Sequence, residues 1–81
     1  MKEYGVRRYG DALYHHCLAE SPADAARWYA HAQPGMARKD FQALVRDVSS
    51  PGEPAIVPVK HGPLTDGARK ATDLKRTSPQ Y

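Results

Sequence analysis

The sequence predicts an α+β domain: a small, four-stranded, mainly antiparallel sheet in the order β-β-α-β-β, with one helix over about 22–33 packed on one face. Three observations predict it. Glu20-Ser21-Pro22-Ala23-Asp24-Ala25-Ala26 is a helix start, with Ser21 as N-cap, Pro22 at the first helical position and Asp24 as the acid of a capping box. Two short apolar and aromatic runs precede it across the turn signal Gly10-Asp11. A β-branched, proline-broken run, Ala55-Ile56-Val57-Pro58-Val59, follows it beyond a cluster of turn residues.

Taken in order, Tyr4 to Tyr9 and Ala12 to Ala19 form the first hairpin. In strand phase Leu13, His15, Cys17 and Ala19 share one face, and Ala12, Tyr14, His16 and Leu18 the other; neither face is cleanly polar. The helix follows, with Ala25, Trp28, Tyr29 and Ala32 as an apolar stripe and Trp28 supplying most of its buried area. Pro34-Gly35 closes it. Phe41, Leu44, Val45 and Val48 fit the helical period, with Asp40 as a cap, as well as a strand. The strand reading is preferred because 55–59 needs a partner across the turn Ser49-Ser50-Pro51-Gly52-Glu53-Pro54. Pro58 lacks a ladder donor, which marks an edge or an interruption there. The expected core is Val6, Leu13, Cys17, Ala25, Trp28, Tyr29, Phe41, Val45, Ile56, Val57 and Val59. The alternative is a three-helix, helix-turn-helix-like fold over 11–20, 22–33 and 37–48.

Eighty-one residues make one domain, and a chain of this size buries roughly 60–65% of its unfolded surface. The foldable part is read as 1–61. Residues 62–81 are read as a basic, flexible tail, because Leu64 and Leu74 are the large aliphatic residues there and too little apolar surface is left to offset ordering entropy. A single cysteine excludes an internal disulfide and a cysteine-rich zinc module. No apolar run approaches the roughly 20 residues that span a bilayer, and Met1-Lys2-Glu3-Tyr4-Gly5 has no signal-peptide core. The expected location is cytoplasmic, with no membrane partner. The net charge of +3 aids solubility and suits an anionic partner without being a nucleic-acid footprint.

Residues with chemistry to offer do not assemble into a reaction centre in the sequence. His15, His16 and Cys17, with His31 or His61, fall short of the closely spaced ligand pairs of a structural zinc site. Cys17 comes with no third member or oxyanion signature, and each aspartate has a local use as turn former, cap or tail charge. The stretch from Gly62 to Gly67 lacks the lysine and the strand–loop–helix setting of a phosphate loop. No enzyme, no cofactor and no metal is therefore expected. The expected function is stoichiometric binding of a protein partner, as inhibitor or adaptor, with a homodimer as its simplest variant. The candidate contacts are Arg7, Arg8, Tyr9, Tyr14, His16, Arg69, Lys70, Lys75 and Arg76. The alternative function is nucleic-acid binding, through a basic and aromatic sheet face with phosphate contacts from the tail, or through a helix-turn-helix.

The run Leu18-Ala19-Glu20-Ser21-Pro22 leading into Ala25-Ala26, set between two hairpins, resembles the strand-to-helix junction of small accessory proteins of phages and other mobile elements, among them anti-CRISPR inhibitors with a β-β-α-β-β layout. The resemblance covers the layout of residues 4–60. It implies a non-enzymatic protein that works by occupying a partner's surface, and it transfers no functional residue.

Overall fold

Ser21 opens the long helix in the way its sequence requires. From an extended backbone its hydroxyl accepts the Asp24 N–H at 3.2 Å, and Pro22 fills the first turn where no donor is needed. The computed structural model describes residues 1–50 and 52–79, so Pro51 of the turn cluster and the final two residues of the 62–81 segment lie outside the described residues. The elements are β1 (Lys2–Arg8), β2 (Leu13–Ala19), α1 (Pro22–Ala32), a 3₁₀ turn (Met36–Arg38), β3 (Phe41–Asp47), β4 (Ala55–Val59), α2 (Asp66–Arg69) and β5 (Thr72–Pro79). The strands form one sheet in the order β4-β3-β1-β2-β5, with every neighbouring pair antiparallel.

The connections follow from local chemistry. Gly10, at φ 90°, makes the tight turn of the β1–β2 hairpin, where the Asp11 N–H returns to the Arg8 carbonyl at 3.1 Å. Helix α1 then crosses the sheet and delivers β3 to the far side of β1. Register places Tyr4 opposite both Cys17 and Asp47, and Val6 opposite both His15 and Val45. Alternation therefore turns Tyr4, Val6, Cys17, Ala19, Ala43, Val45 and Val59 toward α1, which meets them with Ala25, Ala26, Tyr29 and Ala30. The alanines let helix and sheet approach closely around the fully buried Tyr29 ring.

The α+β class, the antiparallel sheet, the single long helix and the edge position of β4 agree with the sequence reading, and 41–47 is a strand rather than a helix. Five expectations need correction. Among the described residues the sheet has five strands, not four. The fifth lies in the segment assigned to a flexible tail: β5 pairs with the outer edge of β2, preceded by α2, whose Thr65 hydroxyl accepts the Ala68 N–H at 3.3 Å. What orders this segment is a backbone ladder and the buried Ala68 more than large aliphatic side chains, so a count of leucines misses it. Ile56 is 55% exposed, because the alternation that sends Val57 and Val59 to the helix sends Ile56 to the other face. Leu13, 41% exposed, sits at the very start of β2. Trp28 only flanks the core, since the buried stripe of α1 runs through Ala25, Ala26, Tyr29 and Ala30. Among the described residues no helix is long and apolar enough to cross a membrane.

Candidate interaction face

The sheet has one face under α1 and one that no helix covers among the described residues, and the residues of the second are fixed by register. Gly5 pairs with His16 on one side and Arg46 on the other; Arg7 pairs with Leu44, which pairs with Ile56; Tyr14 pairs with Ser78. All point away from α1.

At the centre, Tyr14 lies flat across β1. A Cβ on Gly5 would stand 3.1 Å from the Tyr14 Cβ and 3.4 Å from its ring, so glycine is what admits the ring. Two guanidinium groups cover it, with the Arg7 Cζ 5.4 Å and the Arg46 Cζ 4.1 Å from the ring centroid. Tyr14 is consequently 1% exposed although no helix lies over it. Arg7 is held further by donating to the carbonyls of Arg8 at 3.4 Å and Asp11 at 3.3 Å. Beside this stack, toward the β4 edge, Leu44 is buried while Ile56 and Pro58 are exposed.

Toward the β5 edge the same face carries a hydrogen-bond chain. His16 Nδ1 lies 2.8 Å from Glu3 Oε2 and its Nε2 lies 2.7 Å from Ser78 Oγ. Arg76 donates to the same Glu3 oxygen. Ionised Glu3 places a proton on Nδ1, which donates to it; Nε2 and the Ser78 hydroxyl share the second bond. The Arg76 guanidinium holds the Glu3 carboxyl below its ordinary value, against the opposing effect of burial and with further help from His16. Both imidazole nitrogens are thus engaged in joining β1, β2 and β5.

No family model, curated protein or solved structure matches this chain.

Of the nine residues singled out in the sequence, the fold brings Arg7, Tyr14, His16 and Arg76 onto this one face. Arg8 points to the helix side of β1, and Tyr9 stands exposed in the hairpin turn. Arg69 and Lys70 sit at α2 beside the start of α1, where Lys70 Nζ is 4.0 Å from Glu20 Oε1. Lys75, at φ 54°, occupies the irregular stretch of β5, its N–H on Asp73 Oδ1 at 2.8 Å. Sequence reasoning missed Arg46 and the open-face role of Ile56. The alternation of Gln42, Leu44 and Arg46 carries the signal for the first, once 41–47 is known to be a strand.

Cys17 points the other way into the core, where burial first, then the charges of Asp73 and Glu3, push its thiol up to about 12, which makes it inert. Among the described residues no three histidine, cysteine or carboxylate side chains are grouped to hold a metal ion.

Proposed function

We propose that this chain is a non-catalytic binding module that holds one protein partner on its open sheet face, and that the partner's surface there is acidic with an apolar anchor. One observation carries the reading: two guanidinium groups stacked on a buried tyrosine, beside an exposed isoleucine. Arginine and tyrosine next to exposed aliphatic surface is the composition of interface centres. Arg7, Arg46 and Arg76 make this face cationic, and a cationic face complements an acidic one. Ring stacking also limits how much side-chain freedom Arg7 and Arg46 lose on binding. Inhibitor and adaptor roles both follow from such occupancy, as the layout resemblance implies.

Arginines meet phosphate as well, and nucleic acid is the competing ligand. The buried state of Tyr14 speaks against it, because a ring covered by two cations is not a stacking platform for bases. The test is affinity capture from the cell of origin with three baits: the wild-type chain, Ile56→Asp with Arg46→Glu, and Ala23→Glu on the exposed helix surface. A protein recovered in equal amount by the first and third and lost with the second supports the reading, and light scattering of the pure chain shows whether that protein is a second copy. Equal capture by all three overturns it. So does tight, steeply salt-dependent binding of oligonucleotides by the wild-type chain, which makes the surface a phosphate reader instead.

A further inference from the structure

A cleft of about 460 Å³ opens on the helix side of the sheet, between the β1–β2 turn, the C-terminal end of α1 and the segment that leads into β3. That is within the size range of small-molecule sites. Its charge is uneven. Arg8 and Lys39 both line it, both are exposed, and neither forms an ion pair among the described residues.

Among the described residues the one carboxylate in its wall, Asp11, is already satisfied from three directions. Its Oδ1 accepts the Leu13 N–H at 3.2 Å, and its Oδ2 accepts the hydroxyl of buried Tyr29 at 2.9 Å and lies 3.3 Å from His15 Nε2. Burial works to raise the Asp11 carboxyl, but the Tyr29 hydroxyl, the Leu13 N–H and His15 outweigh it and hold the group below its ordinary value. The same arrangement pushes the Tyr29 hydroxyl up to about 12, through burial and then its bond to Asp11. Asp11 thus stays charged, but its charge is spent inside the fold. With Nε2 turned to Asp11, the His15 ring is braced, its centroid 5.7 Å from that of Tyr29, and Nδ1 has no hydrogen bond among the described residues. Leu13 and Pro34, both exposed, give the cleft an apolar side.

We infer that this cleft binds a small aromatic phosphate monoester, with Arg8 and Lys39 donating to the phosphate, the ring against Leu13 and Pro34, and Asp11 and Tyr29 holding His15 in place as part of the wall. Two unpaired cations match the double charge of a phosphate monoester better than the single charge of a carboxylate. The inference is independent of the partner proposed for the open face, since the cleft lies on the other side of the sheet.

The test is amide chemical-shift titration of the full chain at low salt with three probes: phenyl phosphate, inorganic phosphate and benzoate. Phenyl phosphate is expected to give saturable shifts at Arg8, His15, Gln33 and Lys39, with a Kd of about 1 mM or tighter. Lys39→Ala, a change at an exposed side chain, should weaken it roughly tenfold with the spectrum otherwise unchanged. Arg46→Ala on the open face should leave it as it was. If Arg8→Ala unfolds the chain, Lys39→Ala decides alone. No saturable shifts at these residues with phenyl phosphate overturns the inference. Benzoate binding as tightly removes the phosphate from it, inorganic phosphate binding as tightly removes the ring, and an unchanged affinity in Lys39→Ala removes the site.

Discussion

Tyr29 on the helix side of the sheet and Tyr14 on the open side are both 1% exposed, and they are buried by opposite means. On the helix side Tyr29 is enclosed by alanines, valines and Phe41, whose ring centroid is 6.0 Å away, and its hydroxyl is bound to Asp11. On the open side Tyr14 is enclosed by a glycine beneath it and two arginines above it. One tyrosine is covered by parts of the fold that cannot leave without unfolding. The other is covered by charged side chains and no helix among the described residues. Under the proposed function, equally buried residues are then structural on one face and part of a contact surface on the other.

Paired substitutions sharpen this contrast. Tyr29→Ala should produce the largest loss, about 3–5 kcal/mol, because the rigid surroundings cannot close the cavity. Tyr14→Ala should cost less, about 2–3 kcal/mol, since water and the two arginine side chains can fill the gap. Urea denaturation of both variants checks the order; equal losses would mean the open face is packed as tightly as the covered one. Removing only the hydroxyls separates them further. Tyr29→Phe takes a donor from a partly buried carboxylate and should cost about 1–2 kcal/mol. Tyr14→Phe keeps the ring under its cations and should stay within about 0.5 kcal/mol of wild type.

The smallest effect is a pH dependence of the open face. Glu3 has its carboxyl lowered in the folded state, so its contribution is fully present above its unfolded value of 4.5 and is lost as pH falls through the lower folded value. Glu3→Gln should therefore lower the melting temperature near neutral pH and shrink its difference from wild type in acid. A difference that is the same at both ends of the range would show that the Arg76 and His16 contacts add nothing through charge.

Local chemistry was readable in this sequence and long-range register was not. Helix α1 is legible because its start signals act within three residues: Ser21 and Pro22 do what their types dictate, while the Asp24 carboxylate accepts the Ser21 hydroxyl at 3.0 Å rather than the backbone N–H of a capping box. The facing of β2 is legible because alternation needs only the strand itself. β3 satisfies two periods at once, so only the neighbouring turn and β4 decide it. β5 is illegible by composition: Thr72, Asp73, Lys75, Arg76 and Thr77 bury little, and what they complete is the backbone ladder along β2. Of the candidate face, Arg7, Tyr14, His16 and Arg76 were named from the sequence, but the reason they lie together was not. That reason is Gly5, which lets Tyr14 reach Arg46 on a strand more than thirty residues away. Asp11 likewise reads as a turn former, and its bond to Tyr29 is invisible until α1 is docked.

The open face as the partner-holding surface is tested most directly by amide hydrogen exchange of the chain, free and in complex with the protein it captures. Slowed exchange should concentrate in β3 and β4, around Leu44, Arg46 and Ile56, while the surface of α1 between Ala23 and His31 stays unchanged. Slowing confined to α1 or α2, with β3 and β4 as in the free chain, would contradict it.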